Sequence, residues 1–208
     1  MLDRFGRIMR QHNEQPAAPP PATTPETLGP GDALILEDGR DFLVQSAIDC
    51  QEELEGRTST WRWLLLDDGS LLEVLRHALS LYERAEILYQ GTPPYALLTG
   101  QGDQDGLLRV FEARVRAGTI AGMPVSYEHG GNCFQIRSTG TFAATLKGMT
   151  DADVWADVSE TASDNVYVKM EAAVASAPAL ALAVWTSHIA LYLGGPLAHA
   201  DIKGMYSR

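Results

Sequence analysis

Few residues in this chain have the types and spacing that chemistry requires. The five histidines, His12, His77, His129, His188 and His199, are scattered and show no metal-ligand spacing. Asp151, Asp153 and Asp157 gather around Trp155, but no His or Cys stands beside them, and Asp is also a common turn residue. Asp103-Gln104-Asp105-Gly106 has the opening of a calcium loop without its remaining acidic positions or terminal Glu. His129 stands beside Gly130 and Gly131, where backbone N–H groups can meet an anion, although any tight turn has that look. There is no nucleophile elbow, no phosphate loop, no dinucleotide fingerprint and no His-Glu-x-x-His. The sequence therefore names no catalytic residue, no cofactor and no metal ligand. It favours a non-enzymatic protein, with an enzyme whose residues meet only in space as the remaining option.

Three aromatic residues are the candidate ligand contacts. Trp61 and Trp63 stand two apart in Thr60-Trp61-Arg62-Trp63-Leu64-Leu65-Leu66, so they share one face of a strand, and Trp155 follows a later hairpin in a comparable place. An exposed pair would make a platform for a small molecule or a polycation. A buried pair would fill a small core, where large aromatics bury much surface each.

The elements that position these residues read as β-structure. Gly31 to Val44 is a turn, a strand, an Asp38-Gly39 hairpin expected to be a two-residue type I′ turn, and a second strand. Leu34 and Leu36 before the turn, and Phe42 and Val44 after it, alternate as one buried face requires. Asp67-Asp68-Gly69-Ser70 is another tight turn between Trp61–Leu66 and Leu71–Leu75, and Ser80–Gly91 reads as a strand ended by Pro93 and Pro94. Gly122 to Ile136 repeats the first hairpin, with Val125 and Tyr127 before His129-Gly130-Gly131-Asn132 and Phe134 and Ile136 after it. Leu107–Arg116 fits a strand or a short helix. From Ala172 to Ala200 there is no charged residue, which suits two buried strands, Leu180–Trp185 and Ile189–Leu193, or a membrane span.

The expected fold is therefore mainly β: two tandem small β-barrel or sandwich units related by duplication, residues 31–98 and 107–208, with a short N-terminal helix on a Pro-rich linker. Residues 1–15 form an amphipathic docking segment. Leu2, Phe5, Ile8 and Met9 recur at helical spacing with Arg4, Arg7 and Arg10 between them. Residues 16–30, with Pro19, Pro20 and Pro21 in a row, form a semi-rigid linker. Leu2, Arg4, Phe5, Arg7, Ile8 and Met9 are the expected contacts to a partner protein or a peripheral contact to a membrane surface. An exposed edge strand could also pair two copies into a homodimer.

At 208 residues, 45 % apolar and 21 % charged, the chain can bury a core. A net charge of −11 disfavours nucleic acid, which needs Lys and Arg for its phosphates. Cys50 and Cys133 make no disulfide framework, and the start lacks the apolar run of a signal peptide, so a cytoplasmic protein, with or without membrane association, is expected.

The Gly31-Asp32 turn, the Asp38-Gly39 hairpin, Trp61 and Trp63 ahead of Asp68-Gly69, and the Gly122–Ile136 echo resemble a bacterial family of small β-rich proteins classed as a domain of unknown function. Arg62 stands where that family has an acidic residue. The likeness covers residues 28–145. Members are often encoded near membrane-stress and polyamine-synthase-like proteins, so the resemblance implies a β module in an accessory role. It carries over no catalytic residue.

Overall fold

A computed structural model describes residues 23–148, 155, 158–162, 164–174, 178–185 and 187–207. The docking segment, including Leu2, Arg4, Phe5, Arg7, Ile8 and Met9, lies outside the described residues, as do most of the linker and Asp151, Asp153 and Asp157.

The mainly β expectation holds. The strands are β1 (Ala33–Leu36), β2 (Asp41–Leu54), β3 (Arg57–Leu66), β4 (Leu71–Leu75), β5 (Ala78–Leu88), β6 (Gly100–Gln101), β7 (Gln104–Asp105), β8 (Ser126–His129), β9 (Asn132–Thr141), β10 (Ala143–Gly148), β11 (Val166–Ala172), β12 (Leu180–Trp185), β13 (Ile189–Leu197) and β14 (Ile202–Tyr206). Two short helices, α1 (Pro93–Thr99) and α2 (Leu107–Arg116), sit between β5 and β8.

Twelve of the strands form one antiparallel sheet in the order β14-β1-β2-β3-β4-β5-β13-β12-β11-β9-β8, with β10 attached to β2. This pairing does not display two small barrels or sandwiches in tandem. Residues 31–98 and 107–208 supply strands to the same sheet: β5 pairs β13 from Leu79–Leu197 to Leu88–Ile189, β1 pairs β14, and β2 pairs β10. Open strand edges are covered by pairing, and here each segment supplies edge partners for the other.

The sheet curls, because β9 runs through Phe142 into β10 and β10 pairs β2 at the other side. It is not a closed barrel. The outer edge of β10 and the residue before it donate hydrogen bonds to non-strand chain: the Ala144 N–H to the Ser159 carbonyl and the Phe142 N–H to the Asn165 carbonyl.

Alternation on these strands separates three cores. Ile48, Trp63, Leu71, Phe142, Leu182 and Tyr192 fill the inside of the curl. Leu34, Phe42, Val44, Leu64, Leu72 and Leu81 pack outside β2–β5 under β1 and β14. Phe134, Ile136, Ala183 and Leu191 pack outside β9–β13 beneath Leu98 of α1 and Phe111 of α2. Each fully buried leucine contributes about 2 kcal/mol relative to exposure.

Several local expectations are refined. The first hairpin is a three-residue loop, not a type I′ turn. The Gly39 N–H donates to the Leu36 carbonyl and the Leu36 N–H to the Arg40 carbonyl, and only Gly39 takes positive φ, 89°. A type I turn followed by a left-handed glycine satisfies the same strands. Leu66 and Ser70 close an identical loop around Gly69. The second hairpin, expected to be one residue longer than the first, instead has the two-residue loop, since His129 faces Asn132 across Gly130 and Gly131, with φ of 56° and 79°. Leu107–Arg116 is a helix, and Pro93 opens another, as a proline at the first helical turn can. Leu180–Trp185 and the following apolar run are strands, and no helix among the described residues is long and apolar enough to cross a membrane.

Candidate functional site

The tryptophans of β3 project to the inside of the curl. Trp61 and Trp63 are 8 % and 0 % exposed, and Trp155 joins them at 1 %. The ring centroids of Trp61 and Trp63 are 5.8 Å apart, those of Trp63 and Trp155 5.6 Å, and Phe142 lies 5.0 Å from Trp63. The structure thus brings together all three aromatics singled out from the sequence, as core and not as an open platform. The Trp155 indole N–H donates to the Tyr192 hydroxyl at 3.0 Å. Burial pushes the Tyr192 phenol up to about 12.

Inside this aromatic core lies an ion pair that sequence reading missed. Glu73 is 4 % exposed and faces Trp63 across β3 and β4. Its carboxylate accepts the Trp63 indole N–H at 3.0 Å and the Lys169 ammonium at 2.8 and 2.9 Å. Lys169 comes from β11, and its ammonium lies 5.9 Å from the Tyr167 ring centroid. Tyr167 in turn donates its hydroxyl to Glu52 at 3.0 Å. The signal was there: Leu-Leu-Glu-Val-Leu puts one carboxylate in an apolar strand, where only a buried partner makes it tolerable.

Glu73 has its donors in place, the Trp63 indole and the Lys169 ammonium. The buried Cys50 thiol is pushed well up by burial and by the neighbouring Glu73 and Asp49 carboxylates, which keeps it protonated. Burial, with a smaller effect of Glu73, likewise raises Tyr82. Among the described residues, no three His, Cys, Asp or Glu side chains are placed to hold a metal. His129 lies 3.6 Å from Glu86, His188 hydrogen bonds Ser187, and His199 lies 3.2 Å from the His77 carbonyl, so these histidines do not meet.

The outer face of the same strands carries a cleft of about 470 Å³. Register builds its floor. Thr145 pairs Asp49, Asp49 pairs Arg62 and Arg62 pairs Val74, one row across β10, β2, β3 and β4. Ala143, Gln51 and Thr60 form the next row, and Arg76 continues it beyond β4. Because side chains alternate, these residues face away from Cys50 and Trp61 on the inner side. Glu26 and Glu160 stand on the walls.

Two kinds of charge line this cleft. The Asp49–Arg62 pair is internally satisfied: Arg62 donates to Asp49 at 2.7 Å and to the carbonyls of Glu26 at 2.8 Å and Leu28 at 3.0 Å, and Lys147 also binds Asp49. Burial opposes ionisation of Asp49, but the hydrogen bonds from Arg62 and Lys147 outweigh it and hold the carboxyl below its ordinary value. Arg76, Glu26 and Glu160 form no ion pair among the described residues. Arg76 also has a backbone φ of 55°, a conformation that side-chain-bearing residues adopt at a cost.

Comparison of the chain with family models, curated proteins and solved structures gave no match.

Proposed function

We propose that this protein is a non-enzymatic accessory module that binds a ligand in the cleft across β10, β2, β3 and β4. The observation that carries the reading is the contrast within the cleft. Its floor is a self-satisfied lattice around Asp49 and Arg62, while Arg76 and Glu160 are charges without ion partners around it; the Glu26 carboxylate is held by a main-chain N–H and by Thr24. A rigid floor with unclaimed groups at the rim is how binding sites combine orientation with affinity. The module role accords with the family resemblance of residues 28–145. Thermal unfolding with metabolite and peptide libraries tests it, because a ligand of the native state raises the midpoint with its concentration. No stabilising ligand, or one that binds without shifting the amide resonances of Gln51, Thr60, Arg76 and Thr145, would exclude the cleft.

A partner protein engaged by Leu2, Arg4, Phe5, Arg7, Ile8 and Met9 is the second element of the reading. One contact favours it. Thr23 joins the body by a 2.6 Å hydrogen bond to Ser207, three residues before Glu26 of the cleft wall. The body thus receives the preceding chain at Thr23, close in sequence to the cleft wall. Recovery of the same partner by the full chain and by a chain starting at Leu28 would refute this role for the segment.

A further inference from the structure

The cleft's charge arrangement selects a ligand, and the geometry points to a short extended peptide with a carboxylate at one end and an ammonium at the other. This rests on the reading of the cleft as a ligand site. Arg76, just past β4, is its unclaimed cation, and Glu160, beyond β10, is an unclaimed anion on the opposite side. Ser159, next to Glu160, accepts the main-chain hydrogen bond from Ala144, which fixes that wall to β10.

The two poles are set apart by the sheet. From β10 to β4 the floor crosses three strand spacings, about 14 Å at ~4.8 Å each, and the side chain of Glu160, about one spacing further out, makes up the rest. An extended chain advances about 3.4 Å per residue, so a peptide of about four residues spans the poles. A free amino acid is too short to reach both. Between the poles the floor offers Gln51, Thr60 and Thr145 side chains, all able to hydrogen bond main-chain groups.

The strain at Arg76 agrees with this role. Glycine would take φ of 55° without penalty, so the chain keeps a guanidinium there at a conformational cost. Arg76→Gly should therefore leave the fold intact while removing the carboxylate's partner.

The test uses the full chain and four probes: tetra-alanine with free termini, acetyl-tetra-alanine, tetra-alanine amide, and the doubly blocked peptide. Amide chemical shifts locate binding and calorimetry gives affinity. Tetra-alanine is expected to shift Arg76, Thr60, Gln51 and Thr145. Blocking either terminus should weaken it about tenfold, as should Arg76→Gly for the carboxylate end and Glu160→Gln for the ammonium end. Each variant should be insensitive to the block at its own end. If the doubly blocked peptide binds the cleft as well as the free one, the zwitterion is wrong and the cleft site stands. If none of the peptides moves the cleft amides, while another compound does, the peptide class falls alone. If no compound from the wider library moves them, the cleft reading falls with it.

Discussion

Glu73 and Trp63 face one another across β3 and β4, and the indole N–H donates to the carboxylate at 3.0 Å in the middle of an aromatic core. Lys169, from a strand on the far side of the curl, completes the charge balance. Removing one member of a buried pair costs more than the pair contributes, since the survivor is left uncompensated. Lys169→Met should therefore lower stability by about 3 kcal/mol in urea unfolding. Adding Glu73→Gln to that variant should restore most of the loss, because the amide oxygen still accepts the Trp63 N–H and no charge is left behind. A double variant as unstable as the single one would refute this account.

Gly194 and Gly195 are adjacent in β13 and should respond oppositely to alanine. A Cβ on Gly194 would collide with the Leu81 carbonyl oxygen, which is main chain and cannot swing away. A Cβ on Gly195 would meet only Ala179 Cβ at 3.9 Å. Gly194→Ala should cost about 2–3 kcal/mol and Gly195→Ala within about 0.5. Thermal midpoints of the two variants check the order.

The cysteines should differ in reactivity. Burial raises the Cys50 thiol well above its ordinary value, and the side chain is enclosed. Cys133 is only partly buried. Alkylation of native protein, followed by mass spectrometry, should place the first label on Cys133 and label Cys50 only on unfolding.

The tyrosines set an alkaline limit. Tyr192 is pushed up to about 12 by burial, and Tyr82 and Tyr167 are raised for the same first reason. A raised folded value means the native state holds its protons longer than the unfolded one. Its stabilising effect is complete below the unfolded value of about 10 and is lost as pH rises above it. Stability should hold to about pH 10 and fall steadily towards pH 12, in step with tyrosinate absorbance.

Asp49 sets a complementary acid limit. Its carboxyl is held low by Arg62 and Lys147 against the cost of burial. A depressed folded value stabilises above the unfolded value of about 3.9 and ceases to as pH falls further. Asp49→Asn should flatten the acid limb of the stability curve, and an unchanged limb would count against the pairing.

Much of the local structure was legible in the sequence. The alternation of Leu34, Leu36, Phe42 and Val44 marks one buried face, and all four lie in one core. The unbroken apolar run at Leu180–Trp185 marks a strand covered on both sides. What could not be read is who pairs with whom. Main-chain hydrogen bonds are nearly indifferent to side chains, so nothing in Leu79 or Leu88 announces Leu197 and Ile189 as partners. The hairpin echo suggested two bodies because short β patterns coincide easily. α2 stayed open because Leu108, Val110 and Glu112 fit either period over so short a span. The cleft was invisible for a related reason: Asp49, Arg62, Arg76 and Glu160 carry no spacing that reveals their meeting across four strands. Trp61, Trp63 and Trp155 were found by type, but their burial depended on the curl of the sheet.

β13 occupies the slot between β5 and β12. During synthesis, residues 31–88 leave the ribosome with the β5 edge exposed, and its partner arrives about a hundred residues later, several seconds at cellular elongation rates. The nascent chain must hold an open, apolar-flanked edge for that interval, which is when such chains associate wrongly or recruit chaperones. Closure then depends on contacts of long sequence separation, so folding should be slow and late, completed only after the segment that supplies β13 is free.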